Sequence, residues 1–281
     1  MRTKRSSRQP DSDVIGLVPA AGQATRVAPL PCSKELYPVG YRTIGTDGSV
    51  RPKVAAHYLL EQMRLAGVTK AYVVLRHGKW DIPAYFGDGA MLDMHVAYLM
   101  MGSPLGPPYT LDQAYPFVRN ARVAFGFPDI VFDTPDVYRR LLHRQVETGA
   151  DVVLGLFPAR EPCAVDMVQV DRAGRVCSIA IKPAQTTLQY TWLVAVWTAA
   201  FSLFMHEHLK RRTSQLHGER SELSVGDVLR AAIEQDLIID SVVFRDSGWV
   251  DIGRPGDLVS AARHFTEEQR SVPQRDRNLP T

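Results

Sequence analysis

Apolar residues along the chain fall into short continuous runs, separated by stretches with helical spacing. The first run, Val14–Val18, is too uniformly apolar for a half-exposed strand and reads as a strand buried on both faces. A helix is expected from about Pro52 to Gly67, where Val54, Leu59, Leu60 and Met63 recur at near-helical spacing and Gly67 supplies a stop. Buried-type strands are expected at Ala71–Leu75 and Arg122–Phe127 and further strands at Met94–Met100 and Asp151–Phe157, with a short helix at Trp80–Phe86 and a helical turn within Leu111–Val118. Thr134–Glu147 reads as a helix capped by Thr134, with Pro135 at its first position. Beyond it, Met167–Val196 carries three β-rich stretches. Helices at Ala199–Arg211, Gly226–Gln235 and Pro255–Phe265 then flank a strand at Ile238–Phe244. Strands alternating with helices of this length imply parallel pairing through right-handed crossovers, an α/β fold on a doubly wound, mostly parallel sheet. Residues 13–267 read as one domain whose later, β-rich half belongs to the same sheet. Met1–Ser12 reads as a disordered basic tail and residues 268–281 as a polar one.

The chemistry concentrates where the first strand ends. Val14–Val18 runs into the small-residue turn Ala20-Ala21-Gly22-Gln23-Ala24, followed by Thr25, Arg26 and, a short loop later, Lys34. Small residues after a buried strand expose backbone N–H groups to which a phosphate can come close. Arg26 adds a planar cationic fork and Lys34 a point charge, a pairing suited to a polyanion. In open α/β sheets the ligand lies outside the carboxyl ends of the strands, and two carboxylates are delivered there from far apart in sequence. Asp129 follows the strand through Phe125, and Asp251 sits in Gly248-Trp249-Val250-Asp251-Ile252-Gly253-Arg254-Pro255. Two carboxylates can share a Mg²⁺ ion with substrate phosphates and water.

In order and residue type the stretch from Gly22 to Val39 resembles the N-terminal motif of the sugar-1-phosphate nucleotidyltransferases, G-x-G-T-R, then P-L, then K-E-x-x-P-V. The nearest relatives by this likeness are glucose-1-phosphate thymidylyltransferases and UTP–glucose-1-phosphate uridylyltransferases, and the likeness extends over roughly residues 13–265. It implies a Rossmann-like nucleotidyltransferase fold with a β-rich sugar-binding half. The implied reaction joins a nucleoside triphosphate, dTTP or UTP, to a sugar 1-phosphate with release of pyrophosphate. Residue by residue, it implies a nucleotide-binding turn at Ala20, Ala21, Gly22, Gln23, Ala24 and Thr25. Arg26 would hold the β- and γ-phosphates, Lys34 would sit near the reacting phosphoryl group, and Asp129 and Asp251 would ligate Mg²⁺. Ile181-Lys182-Pro183 is similar to a Glu-Lys-Pro element whose lysine binds the sugar phosphate, which assigns Lys182 to that group. Gln113 is similar to a residue that reads the pyrimidine edge; a solvated glutamine on a helix face fits the same sequence.

The chain departs from the family pattern at four places. Ala24 replaces a second glycine, a position alanine fits with a negative φ, and the Arg26–Lys34 loop is about two residues shorter than usual. Ile181 replaces the glutamate that contacts sugar hydroxyls, and Val165-Asp166-Met167 stands where many relatives carry Tyr-Gly. The last two alter the sugar pocket and leave open an unusual sugar or a cyclitol phosphate. A non-catalytic relative that binds nucleotide or sugar phosphate is the alternative function.

Composition narrows the partners. A net charge of +3 is too small to argue for nucleic acid, and no run of about 18 apolar residues offers a membrane span. Cys32, Cys163 and Cys177 lack metal-ligand spacing and read as reduced thiols, and the N-terminus has no apolar signal core, which together suggest a cytoplasmic protein. The expected ligands are therefore a nucleoside triphosphate and a sugar 1-phosphate, with homo-oligomerisation left open. A dinucleotide-binding dehydrogenase would need G-x-G-x-x-G after the first strand and an acidic residue ending the second, where the chain has Arg76. His206 and His208, on a helix, read as solvated.

Overall fold

The computed structural model describes residues 13–44, 48–102, 105–132, 134–215, 222–258 and 261. In chain order the first half contains β1 (Val14–Pro19), β2 (Pro38–Ile44), β3 (Ser49–Val54), α1 (Ala55–Leu65), β4 (Lys70–Arg76), α2 (Asp81–Phe86), β5 (His95–Met101), α3 (Pro107–Asp112), α4 (Tyr115–Val118) and β6 (Arg122–Gly126). The second contains β7 (Ile130–Phe132), α5 (Val137–Thr148), β8 (Val152–Pro158), β9 (Met167–Val170), β10 (Val176–Ala180), β11 (Tyr190–Trp197), α6 (Ala199–Gln215), α7 (Val225–Glu234), β12 (Ile239–Val243) and β13 (Trp249–Asp251).

A nine-stranded sheet runs β10-β9-β11-β6-β1-β4-β5, with β8 and β12 continuing from β11. All its strands except β10 and β11 point the same way. The fold is therefore mixed α/β with a mostly parallel sheet, as expected, but β11 runs antiparallel to all three of its neighbours, β6, β8 and β9. Successive side chains of β1 go to opposite faces, Ile15 and Leu17 to one core and Val18 to the other. One core is closed by α3, α4, α6 and α7, and the other by α1, α2 and α5. This is the doubly wound arrangement, and it explains why β1 is apolar on both faces. No helix among the described residues is long and apolar enough to cross a membrane.

Two element boundaries correct the sequence reading. The strands β2 and β3 pair antiparallel, so the expected helix start at Pro52 lies inside β3 and α1 begins at Ala55. The helix expected from Thr134 begins at Val137, with Asp136 at its N-cap in a left-handed conformation (φ 60°) and the Thr134 hydroxyl unpartnered. Packing sets that boundary: Val137 and Tyr138 are fully buried, and the Tyr138 hydroxyl donates to the Phe125 carbonyl at 2.9 Å. Of the expected last helix, residues 255–258 and 261 are helical and the remainder lies outside the described residues, as do both tails.

His57 on α1 links this packing to pH. Its ring is buried against Tyr85 and Phe86, at centroid distances of 6.3 and 5.7 Å. Burial, reinforced by the Arg42 and Lys53 cations, lowers its pKa from 6.5 to about 3, despite Glu61 at 3.7 Å. The unfolded chain takes up a proton as pH falls through the ordinary value, whereas the folded chain does so only near the lowered one. The stability of the neutral form is thus complete above the ordinary pKa and lost progressively below it. By about pH 5 the loss should reach roughly 2 kcal/mol. Urea unfolding at neutral pH and at that pH checks this, since His57→Leu should remove most of the difference.

Candidate active site

The carboxyl ends of β1 and β6, the start of β11 and the N-terminal ends of α3 and α7 surround a cleft of about 360 Å³. It brings together seven of the residues singled out from the sequence: Ala21, Gly22, Arg26, Lys34, Asp129, Lys182 and Asp251. Ala20 is buried behind the turn, its N–H donating to Val74. Gln23 and Ala24 line a separate depression behind the loop, with Arg76, Lys79 and Asp81, and Thr25 lines neither. Gln113 is exposed at the end of α3 and does not line the cleft; from that helix Pro107 and Thr110 do.

Ala24 departs from its expected backbone. Its φ is +55°, and its carbonyl accepts from Val27 and Ala28, both at 3.0 Å, in a tight turn. The family's glycine would adopt this conformation freely, whereas alanine carries strain there. The loop keeps its shape without the residue that most easily makes it.

Asp129 and Asp251 are joined by a device outside the main sheet. The strands β7 and β13 pair antiparallel with Asp251 opposite Ile130, and the Ile252 N–H donates to the Asp129 carbonyl at 3.0 Å. Asp251 therefore comes from a separate two-stranded ribbon that brings it beside Asp129. Gly253 is where the charged groups meet. A Cβ there would lie 2.8 Å from Asp251 Oδ1, 3.1 Å from Arg26 Nη2 and 3.5 Å from Asp129 Oδ2. The Gly253 N–H donates to Asp251 Oδ1 at 2.8 Å. Burial, then the neighbouring Asp129, raises the Asp251 pKa, partly offset by that N–H, Lys34 and Arg26. Lys34 pairs with Asp129 Oδ2. Burial works against its charge, but Asp129, Glu35 and Asp251 together prevail and raise its pKa, so it remains an ammonium. Among the described residues no three His, Cys, Asp or Glu side chains form a metal cluster. Two carboxylates with the remaining positions left to phosphate and water is a donor set that suits Mg²⁺.

Sequence reasoning missed the support beneath Lys34. Glu35 and Lys79 form an ion pair at 2.6 and 2.7 Å with side chains only 2% and 5% exposed, and Ser33 donates to Asp81 from its N–H at 2.6 Å and its hydroxyl at 2.7 Å. Lys34 is thus bracketed by two anchors to the segment that leads into α2.

At the other end of the cleft stand Lys182, with φ +40°, and Asp166, Thr191, Trp192 and Ser224. Ile181 does not line the cleft but packs against the core beside Gly226. Arg254 donates to Glu161 at 2.6 Å, with its Nε 3.9 Å from Asp251. The histidine expectation is corrected: His206 lies 2.9 Å from Asp112 and stacks on Tyr115 at 3.8 Å, and His208 stacks on Phe204. Neither is simply solvated, because α6 packs against α3 and α4.

A parallel-sheet edge carrying a small-residue loop, fixed cations and a carboxylate pair defines a protein built to handle phosphates. The family model described as nucleotidyl transferase matches residues 15–268, and the chain belongs to that family. Among its relatives, the low-salt glycan biosynthesis nucleotidyltransferase Agl11 of Haloferax volcanii is 24% identical over 257 residues, covering 90% of this chain and 66% of the relative. The glucose-1-phosphate thymidylyltransferase of Streptomyces griseus is 26% identical over 256 residues, covering 89% of this chain and 66% of that one. The chain thus spans just under two thirds of the length of either. A solved structure of apo UDP-glucose pyrophosphorylase superposes with a TM-score of 0.75 at 15% identity, covering 92% of this chain and 99% of the other. At that identity the likeness speaks to the fold.

Proposed function

We propose that the chain is a sugar-1-phosphate nucleotidyltransferase that joins dTTP or UTP to a sugar 1-phosphate, releasing pyrophosphate and forming an NDP-sugar. The observation that carries this reading is the convergence of Arg26, Lys34 and Lys182 with Asp129 and Asp251 in one cleft of a nucleotidyl transferase fold. An oxygen of the sugar phosphate forms the new bond to the α-phosphorus as the α–β bridging bond breaks in line. The attacking monoester is already anionic near neutral pH, so no side-chain nucleophile is required. The burden on the protein is to position and neutralise crowded anions. Asp129 and Asp251 are the residues that would hold Mg²⁺, which when bound supplies divalent charge against phosphate oxygens. Arg26 takes the β- and γ-phosphates and stays with the departing pyrophosphate. Lys182 takes the sugar phosphate, and Lys34 stands at the reacting end beside Asp129.

Pyrophosphate release from a panel of nucleoside triphosphates crossed with sugar 1-phosphates tests the reading. Release only from thymidine or uridine triphosphate with one sugar phosphate supports it; binding of both ligands without release points to the non-catalytic alternative. The two cations should separate under calorimetric titration. Arg26→Ala is expected to weaken chiefly the triphosphate and Lys182→Ala chiefly the sugar phosphate, each by on the order of 10- to 100-fold for a charge-assisted contact. The reverse pattern would overturn the assignment.

A further inference from the structure

Two polar side chains in the cleft wall have atoms without a well-formed hydrogen bond, and they face each other. Met167 pairs with Thr191 in antiparallel register, which sets Asp166 beside Trp192. The Oδ1 atom of Asp166 and the indole Nε1 of Trp192 are both buried, and neither makes a well-formed hydrogen bond among the described residues, although the indole N–H is near enough to the Asp166 carboxylate to lower its pKa. Both residues line the cleft on the side of Lys182. Neither can easily turn away. The Trp192 ring is held against Phe125 and Phe127, at centroid distances of 6.1 and 5.9 Å. The Asp166 carboxylate is pressed on the backbone of Gly226, where a Cβ would overlap Asp166 Oδ2 and stand 2.7 Å from Ile181 Cδ1.

An acceptor and a donor that meet at one spot without a well-formed hydrogen bond between them leave room for a group that both donates and accepts. A hydroxyl does this, giving its hydrogen to the carboxylate and accepting the indole N–H. An ammonium could satisfy Asp166 but not Trp192, and a methylene would leave both unpaired. Building on the function proposed above, we propose that Asp166 and Trp192 form a subsite for one ring hydroxyl of the sugar or cyclitol phosphate and so determine which such phosphate is accepted. Burial raises the Asp166 pKa, with Asp227 adding to it, against the Lys182 charge and the N–H groups of Lys182 and Trp192, so the carboxylate remains poorly solvated and favours a further ligand donor.

Calorimetric binding tests this whether or not turnover occurs. The probes are glucose, galactose, mannose and myo-inositol 1-phosphates, followed by each monodeoxy derivative of the tightest binder. Asp166→Asn, which keeps the shape, and Trp192→Phe, which keeps the ring plane, should each weaken the tightest binder by about 10- to 100-fold. For one and the same deoxy position both losses should shrink to about twofold or less, the mark of a direct contact in a thermodynamic cycle. Equal losses for every deoxy derivative would overturn the subsite, since a role only in supporting Lys182 cannot single out one hydroxyl. No loss in either variant would overturn it as well. If the parent protein binds none of the phosphates, the proposed function falls first and the subsite with it, and that outcome is distinct from binding without a hydroxyl-specific cycle.

Discussion

Asp251→Asn is expected to lower pyrophosphate release by on the order of 10²- to 10³-fold, while leaving the protein folded and at least as stable as its parent. The loss follows from the role proposed for the pair: removing one preorganised electrostatic contact at a reacting phosphoryl group costs about that much. The retained stability follows from the surroundings of Asp251. It is a half-buried carboxylate beside a second carboxylate, and the Gly253 N–H that it accepts can equally be accepted by an asparagine oxygen. Removing the charge relieves repulsion and keeps the hydrogen bond. Asp129→Asn should lose turnover similarly but should also release Lys34 from its partner. Thermal unfolding separates the two effects. Added Mg²⁺ should raise the midpoint of the parent by mass action and do little for Asp251→Asn. Turnover near that of the parent at limiting Mg²⁺ would remove the residue from the site.

How much of this was legible in the sequence depends on how local each cause is. The strands β1, β4, β6 and β8 could be read because strands buried on both faces are short continuous apolar runs, and the edge strand β5 because its run is apolar although only partly buried. The same property hid the direction of β11: an apolar run covered on both sides is the same whichever way it points, and its antiparallel placement is set by the chain connections. The β2–β3 pair was missed because its apolar residues are few and mixed with charged ones, most positions outside Val39, Gly40 and Val54 are at least half-exposed, and β3 carries Pro52 between Arg51 and Lys53. In the site, the order of glycine, arginine and lysine after a buried strand pointed to two cations that the fold places in the cleft. The sign of φ at Ala24 could not be read, because alanine gives no hint of a left-handed turn. Gln113 shows the limit of a resemblance, since one helical position decides whether a side chain faces the cleft or solvent, and in this helix Thr110 does the facing. The Glu35–Lys79 pair left no periodic trace because its members meet only in the fold. The Lys34-Glu35 dipeptide nevertheless advertised an acidic residue beside the catalytic-loop lysine.

That pair carries the largest expected effect on stability. Glu35 is almost fully buried, and burial raises its pKa even with Lys79 donating to both of its oxygens. The charged pair is therefore maintained against desolvation, and its removal as a unit should cost little, while removal of one member leaves a buried charge with no compensation. Lys79→Met is expected to destabilise the protein by about 3–5 kcal/mol. For a chain of this size that corresponds to a fall in the unfolding midpoint on the order of 10 °C. Glu35→Met should cost a comparable amount by stranding the ammonium, and the double variant should recover most of the loss, because two methionines fill a similar volume without charge. Recovered stability need not bring recovered function. Lys34 lies between Ser33, anchored by Asp81, and Glu35, so an apolar substitute for the pair keeps the fold but loosens the register of the loop. Urea unfolding of the four proteins, with pyrophosphate release from each, decides the matter. A double variant that loses as much as the two single variants combined would mean that the pair stabilises in its own right. A fully active double variant would mean that the loop does not need it.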